Sequence, residues 1–144
     1  MRSLLDVNVI IALIDPEHTL QDRAHQWWML NRKHGWASCP LTENGAVRIM
    51  SNPNYRQNTK FTPGGMIVSI KDFAERTDHE FWSDDISIID EKIFVPGLIH
   101  SPKQITDLYL LALATKHNAR LVTFDQNIPL SAVIGAKVNN LYVI

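Results

Sequence analysis

Four acidic residues stand where a charged side chain needs a reason. Asp6 closes the opening RSLL, Glu43 lies in LTENGAVRIM, Asp107 interrupts the apolar run TDLYLLALA, and Asp125 follows LVTF. A buried carboxylate without a partner is costly. If one rim of the fold gathers all four, the partner that fits is a divalent cation. Mg2+ and Mn2+ take oxygen ligands, and such ions activate a water and stabilise a leaving oxygen in phosphodiester hydrolysis.

Each acid also has a plainer reading. An acidic residue near a helix start complements the helix dipole, which accounts for Glu43 by itself. Asp6 fits a turn after a strand, and Asp125 fits an N-cap for the segment beyond it. Asp107 is the hardest to explain this way, because Leu108, Leu110 and Leu111 surround it, although Thr106 marks a wetter stripe. Residue chemistry leaves both readings open: one shared metal site, or four separate structural roles.

The elements that must position these acids alternate. Residues 2–6 read as a short buried strand ending at Asp6. Asn8 caps a helix through Ile14, which Asp15-Pro16 stops. A second helix spans 20–33, with Thr19 as N-cap and Gly35 as stop. A strand at 36–38 ends before Pro40, and Thr42 caps a helix over ENGAVRIM. Residues 51–62 are a polar loop. Thr62 and Pro63 open a helix to about Arg76, its first turn weakened by Gly64 and Gly65. A strand at 79–82 follows, then an unpatterned stretch, 83–100, with one helical turn near Asp90. Ser101-Pro102 opens a long helix over 103–117, about 22 Å at the α-helical rise. Strands at 120–124 and 141–144 complete the chain, the last at an edge or terminus.

Short apolar strands alternating with helices predict a mainly parallel sheet covered on both faces. Such sheets place their sites at the carboxyl ends of the strands. With right-handed crossovers, strand C-termini and helix N-termini share one rim. Asp6, Glu43, Asp107 and Asp125 all fall on it.

A length of 144 residues suits one domain, 1–144. A hydrophobic fraction of 45% is ordinary for a globular chain. The single cysteine, Cys39, excludes an internal disulfide and a cysteine-based zinc site, and fits a reducing compartment. The apolar stretch 9–14 is too short to cross a membrane, and no cleavage site follows it. A cytoplasmic protein without membrane attachment is expected. The net charge of -1 excludes a strongly basic nucleic-acid binder. With the four acids neutralised by metal, the remainder is +3, which still tolerates a phosphate backbone. No repeat or low-complexity tract is present.

The segments LLDVNVIIAL, CPLTENGAVRI and QITDLYLLALATKHNARLVTFD resemble, in order and separation, the PIN-domain ribonucleases, specifically the VapC toxins of toxin–antitoxin pairs. The last segment is the most specific. The resemblance implies a three-layer PIN-like sandwich with a central, mainly parallel sheet flanked by helices. It implies a Mg2+- or Mn2+-dependent endoribonuclease with metal-binding acids at Asp6, Glu43, Asp107 and Asp125. Asn8 and Thr123 fall at positions that support the pocket by hydrogen bonding. The resemblance also implies an RNA substrate, a small antitoxin and a homodimer. It fades between about 52 and 100, where substrate choice would reside. The alternatives are a PIN-like domain that binds RNA without cutting, and an aspartyl-nucleophile phosphatase. The second usually wants an Asp two residues after the nucleophile, where this chain has Asn8.

Other residues follow from that frame. Arg48 lies about 140° around the helix from Glu43 and either contacts phosphate or pairs with a surface acid. Arg56 and Lys60 in the polar loop are candidate RNA-backbone contacts. Trp27, Trp28, Trp36 and Trp82 are read as core or dimer-interface residues, with base stacking the alternative for one of them. His25, His34, His79 and His117 lack paired metal spacing and receive no ligand role. Asp84 and Asp85 are read as a solvated turn. A pocket of four carboxylates also attracts a guanidinium, whose planar fork binds carboxylates bidentately. An antitoxin arginine is therefore expected to enter it, with the antitoxin tail on an apolar groove near Val9, Leu13, Trp27 and Trp28.

Overall fold

The computed structural model describes all 144 residues, Met1–Ile144. Its strands are β1 (Ser3–Leu5), β2 (Trp36–Ser38), β3 (His79–Phe81), β4 (Arg120–Thr123) and β5 (Leu141–Val143). They form one sheet in the order β3-β2-β1-β4-β5, parallel at every pairing. Its helices are α1 (Val7–Ile14), α2 (Gln21–Asn31), α3 (Pro40–Met50), α4 (Pro63–Glu75) and α5 (Ile105–Lys116). None is long and apolar enough to cross a membrane.

Neighbouring residues of a strand point to opposite faces, and here both faces are covered. Leu5, Trp36 and Val122 enter a core with Val9, Ile10, Trp28, Met50 and Ile70, supplied by α1 to α4. Leu4, Ala37 and Leu121 enter a second core with Leu108, Leu111 and Phe94, built mainly from α5 and the irregular segments beside it. Hence the strands read as unbroken apolar runs, and the fold is the expected α/β three-layer sandwich. Helix α5 is apolar on most sides because Phe94, Ile128, Ala132 and Val133 pack on it opposite the sheet.

Three helix starts differ from expectation. Asp6, not Asn8, caps α1: its carboxylate accepts from the Val7 amide at 2.7 Å. The chain turns into the helix immediately after β1, so Asp6 is at once strand end and cap. Helix α3 begins at Pro40, three residues earlier than predicted. Pro40 occupies the first helical position, where its missing N–H costs nothing. Thr42 lies inside the first turn and reaches back, accepting from the Cys39 amide and donating to the Cys39 carbonyl, both at 3.0 Å. Helix α2 starts after Leu20 with no side-chain cap, so Thr19 does not serve. It tightens into a 3-10 turn, Arg32–His34, before Gly35 stops it at φ 73°. Thr62 and Pro63 open α4 as predicted.

The loop 51–62 is tethered more firmly than its polarity implied. The buried Asp15 carboxylate accepts from the Tyr55 hydroxyl, the Arg56 guanidinium and the Glu17 amide. Burial alone would raise its pKa. These bonds outweigh burial and hold it below the ordinary carboxyl value.

Helices α1 and α3 approach closely at Gly45. A Cβ there would lie 2.8 Å from Cγ2 of Val7, the residue next to Asp6. This contact sets the spacing between the starts of the two helices, and so between Asp6 and Glu43. Overfilling such a contact costs about 1–3 kcal/mol. Gly45→Val is expected to lose about that much stability in urea unfolding, although it removes a glycine from a helix. Parental stability in this variant would show that the two helices separate freely.

Candidate active site

The rim where β1 and β4 end brings three of the four acids together. Asp6 is held on both carboxylate oxygens: Oδ1 accepts from Val7 N at 2.7 Å and Oδ2 from the Thr123 hydroxyl at 2.8 Å. Thr123 is fully buried at the end of β4 and also accepts from the Asp125 amide at 3.1 Å. Asp125 in turn accepts from the Asn127 amide at 2.8 Å, closing a local turn; no helix starts there, so it is not the N-cap its plainer reading expected. Asp107 lies half-buried in the first turn of α5.

The electrostatics of the three are strained. Burial raises the pKa of Asp6, Thr123 and Val7 counter this, and the charge of Asp125 adds to the rise. Asp107 is pushed up to about 7, first by burial, then by the charge of Asp6, and then by Asp125 as hydrogen-bond partner and as charge. The charge of Asp125 thus makes Asp6 harder to ionise, and the charges of both make Asp107 harder still. All the donors are oxygen and the strain is negative, which fits a hard divalent cation. No group of three or more His, Cys, Asp or Glu side chains is drawn into an arrangement that would hold an ion.

Glu43 sits apart from this trio. It lies in the first turn of α3, as expected, yet it is absent from the charges that raise Asp107. Its Oε1 accepts from the Ser38 hydroxyl at 2.6 Å. That hydroxyl also lies 2.8 Å from His79 Nε2. Burial lowers the pKa of His79, and nearby Glu43 partly restores it. Ser38 and His79 received no role from the sequence. Their proximity depends on the β2–β3 register, which no sequence pattern displays.

The remaining expected site residues divide. Asn8 is exposed in the first turn of α1 and makes no hydrogen bond to the acids. Arg48 is exposed, forms no ion pair, and lines a cleft of about 710 Å³ between α3 and α4 with Glu43, Asn44 and Lys71. Arg56 is committed to Asp15 and Glu17. Lys60 is bonded to backbone carbonyls of its own loop. Trp27, Trp28, Trp36 and Trp82 are buried, with Trp82 stacked on His117 at 3.8 Å. Val9, Leu13, Trp27 and Trp28, expected to line a groove for an antitoxin tail, are buried, and the open hollow beside them, of about 280 Å³, is lined by Arg23, Trp27, Leu30 and Tyr142. Asp85 pairs with Lys116 on the surface, while Asp84 accepts from the Leu41 amide at the start of α3.

The strain on Asp107 has a consequence for stability in a metal chelator. Its carboxyl has an ordinary value of 3.8 and titrates near 7 in the folded chain. Below 3.8 both states are neutral there, and no penalty exists. Between the two values the unfolded state loses its proton first, so the penalty on folding grows up to about pH 7 and then stays constant. Asp107→Asn removes it. The Tm advantage of the variant over the parent should therefore widen from pH 4 to pH 8. Parallel Tm profiles would contradict the assigned strain.

No family model matches the chain. Ribonuclease VapC44 of Mycobacterium tuberculosis is 47% identical over 144 residues, covering 98% of each chain. Ribonuclease VapC39 of the same organism is 38% identical over 135 residues, 94% of this chain and 96% of its own length. The crystal structure of VapBC2 from Rickettsia felis, bound to a DNA fragment from their promoter, superposes with a TM-score of 0.54. The match covers 87% of this chain and 89% of that one at 16% identity, a likeness of fold.

Proposed function

The chain belongs to the VapC ribonuclease family, and from that premise we propose that it is the toxin of a toxin–antitoxin pair, cutting RNA as a divalent-cation-dependent endoribonuclease. The observation that carries the proposal is the convergence of Asp6, Asp107 and Asp125 on the rim where β1 and β4 end, where burial and then the two neighbouring acids push the Asp107 carboxyl up to about 7. Three carboxylates held in one another's field are costly to a fold and useful to a cation site.

Asp6, Asp107 and Asp125 would hold the cation, with Glu43 beside them. Mg2+ or Mn2+ there would supply a Lewis acid that activates water and neutralises charge at the scissile phosphate. The chain's own residues prepare the place. Thr123 fixes the rotamer of Asp6 and, through the Asp125 amide, the turn that carries Asp125. Asp107, whose burial and acidic neighbours favour its protonated form, would lie beside them in its ionised form when a cation is bound. The RNA backbone runs along the cleft between α3 and α4, where the Arg48 and Lys71 cations meet phosphate. Hydrolysis leaves a 5′-phosphate and a 3′-hydroxyl.

The setting is read the same way. Residues 1–144 form one domain, because strands from both ends of the chain share a single sheet. The protein works in the cytoplasm, dimerises with a second copy, and is restrained by a small antitoxin. The neighbour from Rickettsia felis is itself a VapBC2 assembly. An antitoxin arginine entering among the carboxylates accounts for inhibition by charge alone.

The purified chain should cut cellular RNA in Mg2+ or Mn2+, stop in EDTA, and resume when either ion is restored. Asp107→Asn should be inactive while remaining folded. Cleavage that persists in metal-free buffer, or in Asp107→Asn at ordinary Mg2+, excludes this mechanism. Co-expression with the neighbouring small open reading frame tests the partner. A small protein should co-purify with the tagged toxin and abolish cleavage; with neither result, the antitoxin reading fails and the ribonuclease reading is unaffected.

A further inference from the structure

Glu43 is held in place by two residues that touch none of the other acids. We propose that Ser38 and His79 are positioning residues that fix Glu43 through a directed pair of hydrogen bonds, leaving one of its carboxylate oxygens free for the reaction. This rests on the reading of Glu43 as part of the ribonuclease site.

The direction of the bonds follows from donor counting. An ionised carboxylate only accepts, and a hydroxyl has one proton to give. At 2.6 Å from Glu43 Oε1, the Ser38 proton goes to Glu43. Ser38 Oγ therefore receives from His79 Nε2 at 2.8 Å. This requires the His79 ring to carry its proton on Nε2. Glu43 Oε1 is thereby occupied, and Oε2 remains to accept from elsewhere.

The sheet register makes the array rigid. His79 pairs with Trp36, and Ser38 lies two residues further along β2 on the same face. Such a diagonal neighbour is within reach of an imidazole. The His79 ring packs on Trp36 with centroids 4.4 Å apart. Trp36 is itself fully buried and donates through Nε1 to the Thr77 hydroxyl at 2.8 Å. Ser38 is fully buried, so water does not compete for its bonds. An edge strand with two exposed residues out of three, Glu80 and Phe81, thus reaches the rim through its single half-buried one.

Outer hydrogen-bond partners of a ligating side chain commonly contribute about 10–100-fold to metal affinity or activity. Ser38→Ala should weaken Mn2+ binding by about that factor in calorimetry without RNA. It should lower kcat on RNA and leave KM unchanged. Ser38→Thr keeps the hydroxyl, and His79→Gln keeps a donor; both should retain most function, whereas His79→Phe should not. Combined with Glu43→Gln, the Ser38→Ala loss should vanish, because residues acting as one unit are not additive. In the wild-type chain, long-range 1H–15N spectra should show His79 protonated on Nε2, a readout that needs neither metal nor RNA. Protonation on Nδ1 overturns the proposal, as does wild-type Mn2+ binding and kcat in Ser38→Ala while Glu43→Gln is impaired. Losses that add to those of Glu43→Gln overturn it as well. Wild-type behaviour of Glu43→Gln itself removes Glu43 from the site and the positioning role with it.

Discussion

The hydrogen bond from Thr123 to Asp6 joins residues 117 positions apart and sets the chemistry of the rim. Asp6 is nearly buried at the end of β1, where desolvation works against its charge. Thr123 and the Val7 amide counter part of that, but the charge of Asp125 adds to the strain. The fold tolerates this because strands β1 and β4 lie side by side at the centre of the sheet, packed on both faces. A surface loop bearing the same acids would let them swing apart. Here the backbone under Asp6 and Thr123 is fixed by the two cores, so the charges stay in one another's field.

The two cores carry this load with very short strands. No strand exceeds four residues, so the sheet contributes few backbone bonds and the helices supply most of the buried apolar surface. Wherever the helices touch the rim, a small or polar device sets the approach. Gly45 admits Val7, Pro40 starts α3 without wasting a donor, and Asp84 accepts from the Leu41 amide at the same helix start. These devices place Glu43. Asp15 acts further off, tethering the loop between α3 and α4 through Tyr55 and Arg56. Arg56 is thereby a structural cation, and Arg48 is left as the unpaired one beside the cleft.

Much of this was legible in the sequence, for identifiable reasons. Unbroken apolar runs of strand length signal a sheet covered on both faces, and each of the five strands lies within its expected segment. Gly35 and Thr62-Pro63 mark helix ends by backbone chemistry that needs no tertiary context. Two of the three misplaced caps share one cause. Asn8 and Thr42 are good cap residues by type, yet the start of α1 and α3 is decided by where the preceding strand releases the chain; Thr19 is passed over because α2, which follows α1, begins after Leu20 without a side-chain cap. The acids were legible because charge in an apolar run is conspicuous. Ser38 was not, because a small polar residue at a strand end is unremarkable until its neighbour across the sheet is known. Trp27 and Trp28 read as groove-lining residues because aromatic density does not distinguish a groove from a core; both are buried, with Trp27 forming the floor of a shallow hollow beside Leu30 and Tyr142.

The acids of the rim are in two electrostatic conditions, and the difference bears on what each can do. Asp107 is raised toward neutrality by Asp6 and Asp125, so it is the member whose charge changes most readily when a positive ligand arrives. Glu43 has a hydroxyl donor at 2.6 Å and stands outside the charges that raise Asp107. That bond gives its carboxylate a fixed direction in which to point. A strained carboxylate gains most by binding charge. An oriented one holds its free oxygen in one place before the cation arrives, ready to meet the ion or to align a water beside it. The trio on β1, α5 and β4 and the single acid on α3 are therefore physically unequal, although all four sit on one rim and look alike in the sequence.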